Sequence, residues 1–188
     1  MINYILNYLY YKCLPQKVTC FKDFKIESVK RQDIEQIRLW RNNQISFLRQ
    51  KREITKDEQI NYFKKVIFSK YKLNQPSEIL LSFKKKNILV GYGGLVHINW
   101  SKLSAESSFL LNHEIDVSSS KYKYYIESYF KLIFKIAFKF LHIKKITSET
   151  FIDRKKHIDH LENIGFVRQK SNNIGSVFHI YNNYDYFK

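Results

Sequence analysis

Residues 24–29 (Phe-Lys-Ile-Glu-Ser-Val) alternate apolar and polar positions, the period of a short half-buried strand. From Lys30 to Asn43 the period lengthens. Ile34, Ile37 and Trp40 or Arg41 fall on one helical side, and Asp33 with Gln36 three residues on resembles a capping box. Residues 44–54 follow neither period and read as an irregular connection. A second helix is expected after Thr55, which stands three residues before Glu58, again a capping-box spacing, with Ile60, Phe63 and Ile67 behind it. After a loop at Asn74–Ser77 come three strands, 78–83, 88–100 and 105–111, with turns at Lys84–Asn87 and Ser101–Ser104. They make an antiparallel meander. Gly91, Gly93 and Gly94 interrupt the long middle strand, which predicts a bulge or a close backbone approach.

The period changes again over 121–141. Lys123, Glu127, Lys131, Lys135 and Lys139 recur every four residues and draw one polar stripe on an otherwise apolar helix, which must therefore be largely covered. A β-rich run, 145–152, follows. Strand 105–111, this helix and strand 145–151 form a βαβ crossover, hence a parallel, right-handed pairing. Asp153 is expected to cap a helix over 154–164 whose Ile158, Leu161 and Ile164 face inward. Gly165 stands where a helix C-terminus wants a left-handed residue. Strands 166–169 and 176–181 close the chain around a turn at Asn172–Gly175. The fold class is α/β (α+β): a mixed, mostly antiparallel sheet of about seven strands with a central βαβ unit and helices on both faces. The 188 residues fit one domain, 23–188, behind an N-terminal extension, 1–22. Ile2, Ile5, Leu6 and Leu9 share a helical face at the start. Packing on the domain or a partner is preferred to membrane contact for that segment. It lacks the basic n-region and cleavage site of a signal peptide, and no apolar run reaches the ~18 residues of a membrane span.

A hydrophobic content of 44% excludes intrinsic disorder, and only 5 Gly and 2 Pro exclude collagen-like and linker classes. Cys13 and Cys20 form neither a disulfide framework nor a metal-ligand spacing, so a reduced, cytoplasmic protein without a metal is expected. Lys and Arg total 33 against 17 acidic residues, a net charge of +16 that favours an anionic ligand. The basic residues are nonetheless spread along the chain, with Lys84–Lys86 the sole run of three lysines, while Ala occurs only at Ala105 and Ala137; a composition bias supplies part of the charge. Nucleic-acid binding competes on charge and aromatics, but no helix-turn-helix or zinc pattern backs it.

The order of these elements over residues 24–182 resembles the GNAT superfamily of acyl-CoA-dependent N-acetyltransferases. The local pieces are Gly91-Tyr-Gly-Gly-Leu-Val-His, Ala105-Glu-Ser-Ser-Phe-Leu-Leu and His157-Ile-Asp-His-Leu-Glu-Asn-Ile-Gly-Phe. The segment Arg38-Leu-Trp-Arg-Asn-Asn is similar to the first helix of the branch that holds ribosomal-protein N-terminal and nucleotide-amino-sugar acetyltransferases. The resemblance implies acetyl transfer from acetyl-CoA to a primary amine, most plausibly that of a nucleotide-linked amino sugar or another small amine. A protein N-terminus and a catalytically weak CoA-binding protein are the alternatives. A monomer or homodimer is expected.

A βαβ unit presents free amides at the positive end of its helix. Here that loop is Val117–Tyr122, so Ser118, Ser119, Ser120, Lys121 and Tyr122 are the candidate phosphate-binding residues. The resembling enzymes carry glycines in this loop; this chain has none between Gly94 and Gly165. The resemblance places the pantetheine arm along Phe109, Leu110 and Leu111, paired like an added strand. An attacking amine must shed a proton. Glu106, on the strand before the loop, is the first candidate base, and Glu149 on the neighbouring strand the second. His97 and His113 titrate in the right range but each more often packs than reacts. The tyrosine acid of the resembling enzymes is replaced by Leu161, and an asparagine that contacts CoA by Arg154. His157 stands where a small residue is usual. For the acceptor, Arg41 and Asn42 follow the first helix, and an Arg suits a nucleotide diphosphate through its planar fork. His97 is the third acceptor-side candidate.

Overall fold

The computed structural model describes residues 10–169 and 175–186. The helical face of Ile2–Leu9 lies outside the described residues, as does the closing turn apart from Gly175. Eight strands form one sheet in the order β1-β2-β3-β4-β5-β6-β8-β7. They are β1 Val18–Phe21, β2 Phe24–Ser28, β3 Ile79–Lys85, β4 Ile88–Asn99, β5 Ser104–Leu111, β6 Lys145–Phe151, β7 Val167–Gln169 and β8 Ser176–Asn182. Every neighbouring pair is antiparallel except β5 and β6.

The strand beyond the expected seven is β1, inside the stretch read as an extension. Four residues with polar Thr19 and Cys20 at their centre carry too short a pattern to be recognised, yet Thr19 is buried against β2. Tyr11, fully buried, donates its amide to Ser28 Oγ (3.2 Å) and accepts the Leu80 amide at its hydroxyl (2.9 Å), so the fold begins well before residue 23.

Helices α1 (Ile34–Asn43) and α4 (Ser120–Phe134) cover opposite faces of the sheet. Arg41 of α1 reaches the Tyr92 hydroxyl on β4, whereas Tyr129 of α4 packs against the adjacent Gly93; neighbouring strand residues point to opposite sides. A four-residue interval advances by about 40° per step around an α-helix, so the charged stripe of α4 would wind out of line. The helix continues as a π segment over Lys135–Phe140, whose wider turn rotates the stripe back. Lys139 thereby stays exposed while Ile136, Ala137 and Phe138 remain buried.

Helix α2 (Lys56–Tyr62) starts at the expected box: Thr55 Oγ1 accepts the Glu58 amide (3.3 Å) and Glu58 Oε2 accepts the Thr55 amide (2.9 Å). It runs through a π turn, Phe63–Ile67, into the short α3, Phe68–Lys70. Helix α5 (Lys155–Ile164) ends at Gly165 with φ 109°. A last turn, α6, spans Asn183–Tyr186.

Two expected caps are corrected. Asp33 makes no side-chain cap on α1; its buried carboxylate accepts Ser82 Oγ (2.7 Å) and pairs with Lys84 Nζ (3.1 Å). Arg154, not Asp153, occupies the N-cap of α5. The Lys84–Lys86 run is not a solvated basic patch either. Lys84 is buried between Asp33 and Glu27 (2.9 Å), and Lys85 pairs with Asp23 (3.5 Å). Only Lys86 and Asn87, both at positive φ, form the hairpin turn.

Candidate active site

Strands β5 and β6 pair only over Ser104–Glu106 and Lys145–Thr147. Beyond that point β5 follows β4 to Leu111 and β6 follows β8 to Phe151, so the two strands part. The glycines on β4 hold β5 in place at the fork. A Cβ on Gly93 would lie 2.1 Å from the Ser108 carbonyl oxygen and 2.5 Å from the Tyr129 hydroxyl, which itself donates to Ser108 O (2.6 Å).

A cavity of about 190 Å³ opens where the strands separate. Glu106, Ser108 and Phe109 line one side and Ser148 and Glu149 the other. Phe47, Leu48 and Arg49, from the α1–α2 connection, close it on one face; Phe130 of α4 and His157 of α5 close it on the other. The chamber therefore passes through the sheet. A second cavity, about 510 Å³, adjoins it and shares Phe47, Phe109, Arg154 and His157. Leu110, Leu111, Tyr122, Lys155 and Lys156 extend its wall towards the start of α4.

The shared wall explains His157. Its Nδ1 meets the Tyr122 hydroxyl at 2.8 Å and its ring lies nearly parallel to Phe109, so it fills the angle between α4, α5 and β5. Burial holds its pKa well below the usual imidazole range, with the Arg154 charge acting in the same direction, and leaves it neutral. Burial likewise pushes Tyr122 to about 12 and lowers Arg154, whose guanidinium stacks 5.0 Å over the Phe47 ring.

At the start of α4 the amides are partly spoken for. Asp116 accepts the Ser118 amide at Oδ1 (2.9 Å) and the Ser119 amide at its carbonyl (3.0 Å), and Ser119 Oγ caps the Tyr122 amide (3.0 Å). Only the Ser120 and Lys121 amides stand outside these bonds and the helix ladder. Of the expected cofactor residues, Phe109, Leu110, Leu111, Tyr122 and Arg154 line the larger cavity. Ser118, Ser119, Ser120 and Lys121 flank it on the adjoining turn and do not line it. An acyl-CoA arm fits these features: the unpaired β5 edge offers main-chain groups to an extended chain, and Arg154, Lys155 and Lys156 offer the charge that the glycine-free loop supplies less of.

Both candidate bases face the smaller cavity. Glu106, half-buried, has no hydrogen bond or ion pair among the described residues. Glu149 is paired with Arg49. The acceptor-side residues separate. Arg41 bonds Gln50 Oε1 (3.1 Å) and the Tyr92 hydroxyl (2.7 Å) and lines a third cavity of about 490 Å³ with Lys51, Arg52 and Tyr62. Asn42 is a scaffold residue. Its Nδ2 donates to Ile54 O (3.0 Å) and its Oδ1 accepts from Gln50 Nε2 and the Ile54 amide (both 2.9 Å), which pins the 50–54 segment and leaves one amide hydrogen outside these bonds. His97 lies exposed at φ 50° on a β4 bulge and lines none of the three cavities. His113 lines the larger cavity from its exposed rim. Sequence reasoning missed Phe47 and Arg49, because a connection without a period gives no hint of what it covers.

The family model described as the GNAT acetyltransferase domain matches residues 26–183. No curated protein matches the chain. Among solved structures it is similar to spermidine N-acetyltransferase from Vibrio cholerae in complex with CoA and spermine, at 18% identity over 89% of this chain and 100% of that one, with a TM-score of 0.74. A dodecameric structure of the Vibrio cholerae enzyme aligns at 17% identity over 89% and 98% of the two chains, with a TM-score of 0.69. At such identity the likeness carries the fold, while the family match runs from β2 to just past β8: the chain belongs to the GNAT acetyltransferases, enzymes that move an acetyl group from acetyl-CoA to an amine.

Proposed function

We propose that the chain acetylates the primary amine of a small molecule that also carries an anionic group, such as a nucleotide-linked amino sugar, with Glu106 as general base. The observation that carries the proposal is the contrast between the two chamber carboxylates: Glu106 is unpaired and Glu149 is held by Arg49. Acetyl-CoA supplies a thioester carbonyl as the electrophile. The chain's own residues do the rest. The β5 edge from Ser107 to Leu111 receives the extended arm through main-chain hydrogen bonds. Arg154, Lys155, Lys156 and the Ser120 and Lys121 amides hold the phosphate end. Glu106 accepts the proton of the attacking amine at a carboxylate oxygen, directly or through one water. Leu161, buried and aliphatic, holds no proton to give, so the leaving group is protonated by water.

The anionic part of the acceptor is assigned to the Arg41 cavity. Among the described residues Arg41 has no carboxylate partner, Lys51 adds a second cation, and of the three only Arg52 is neutralised, by Glu58 (2.6 Å). A polyamine, the acceptor type of the Vibrio cholerae neighbours, would find this lining repulsive. The test is CoA release with acetyl-CoA and a panel: a nucleotide-linked amino sugar, a hexosamine phosphate, spermidine and a peptide amine. Turnover with the first two and its loss in Glu106→Gln support the reading. Turnover with spermidine or the peptide alone overturns the acceptor assignment, and undiminished turnover in Glu106→Gln removes Glu106 from the mechanism.

A further inference from the structure

The chamber holds two carboxylates, Glu106 and Glu149, and two guanidinium groups, Arg49 and Arg154. Two of the four are accounted for: Glu106 is the proposed base, and Arg154 is fixed over Phe47 in the shared wall. Arg49 is different. It reaches in from the α1–α2 connection to pair with Glu149, yet its side chain is 63% exposed while that of Glu149 is 15% exposed. The cation can leave for water at little cost. The carboxylate cannot, and with the cation gone it would be left as a half-desolvated charge beside the base.

We infer that the Arg49–Glu149 pair is the acceptor's binding switch: the acceptor's ammonium takes the place of Arg49 on Glu149, and the released guanidinium takes the acceptor's anionic group. The ion pair is exchanged for two others, so charge stays balanced through the cycle. The exchange selects zwitterionic amines. A monocation without an anion recovers only half of it, and a polycation would meet a freed Arg49 of its own sign. The neighbouring residues fit the second half of the exchange. Gln50 follows Arg49 in the chain and bonds Arg41, so the connection that carries Arg49 also holds the cation of the acceptor cavity. Glu149 is then a binding residue for the acceptor, and the base is Glu106.

This deepens the proposed acceptor class and rests on it. The test pairs calorimetric binding with steady-state kinetics, using glucosamine 1-phosphate as the zwitterion, plain glucosamine as the same amine without an anion, and spermidine as the polycation, each at saturating acetyl-CoA in the kinetics and with CoA present in the calorimetry. Three variants are compared: Arg49→Ala, Arg49→Lys and Glu149→Gln. The expected result for Arg49→Ala is zwitterion affinity weakened about tenfold and spermidine affinity strengthened, with Arg49→Lys partly restoring the wild-type order. For Glu149→Gln, KM rises for every amine while kcat changes little. Equal changes for all three amines in Arg49→Ala overturn the exchange, and so does a fall in kcat at constant KM in Glu149→Gln, which would make Glu149 the base. The calorimetry reads the exchange even if no amine turns over, so failure of the proposed activity and failure of the exchange are seen separately.

Discussion

Replacing Lys84 with methionine keeps most of the side-chain volume and removes one charge from between two buried carboxylates. Lys84 Nζ lies 2.9 Å from Glu27 Oε1 and 3.1 Å from Asp33 Oδ1, and all three side chains are no more than 6% exposed. Glu27 keeps Lys30 (3.1 Å) and a long contact to Lys25 (3.7 Å); Asp33 keeps Ser82 and the Lys30 amide. Breaking a buried ion pair from one side costs about 3–5 kcal/mol. A domain of this size loses about 2–4 °C of melting temperature per kcal/mol, so the midpoint at pH 7 should fall by roughly 6–20 °C. The direction with pH is also fixed. In the native protein the Glu27 pKa is lowered by the hydrogen bonds and charges of Lys84 and Lys30, which outweigh burial. Its contribution is present above the ordinary carboxylate pKa and is lost as pH falls through the lowered folded value. In the variant a main cause of that lowering is gone, so the gap between variant and native protein should narrow as pH falls from about 5 to about 3. Calorimetric melts of both proteins across that range measure it. A gap that stays constant, or a loss under about 1 kcal/mol, would show that the triad behaves as a solvated surface pair and would refute the reasoning.

Further outcomes follow from other parts of the molecule. Gly93→Ala places a methyl 2.1 Å from the Ser108 carbonyl oxygen, so β5 must move; melts should show a loss of about 1–3 kcal/mol or more, accompanied by weaker acetyl-CoA binding. Glu106→Gln should lower kcat about 10²–10⁴-fold without shifting the melting temperature, because the carboxylate it replaces has no partner. His157 and His179 both have pKa values lowered mainly by burial, so the unfolded chain binds their protons more readily. Stability should decline as pH falls through about 6.5, and His157→Gln should reduce that decline in melts between pH 7.5 and 5.5, leaving the part due to His179.

Elements whose pattern is long or chemically marked were legible in the sequence. The strand after the β3–β4 turn, the Thr55–Glu58 box, the covered helix with its charged stripe and the left-handed Gly165 each depend on neighbours within a few residues. What was hidden depends on distant ones. Asp33 looks like a helix cap until Ser82 and Lys84, some fifty residues on, are seen to claim its carboxylate. Lys84 reads as part of a basic turn because nothing local says that Glu27 lies beside it on the paired strand β2. Asn42 stands after a helix like an acceptor-side residue, and nothing local says that its hydrogen bonds go to the loop that returns over it. In the site, Glu106 and the β5 stretch follow from the family resemblance, and the structure puts Glu106 and Phe109 on the wall of the cavity where β5 and β6 part. Arg49 was not legible, since a long-range ion pair leaves no period.

The central claim is that acetyl-CoA lies in the fork between β5 and β6. Hydrogen–deuterium exchange with and without millimolar acetyl-CoA tests it directly. The prediction is slowed exchange of the amides of Ser107–Leu111 on β5, with Ser120 and Lys121 at the start of α4 also protected. Binding that protects another region and leaves Ser107–Leu111 unchanged would contradict it.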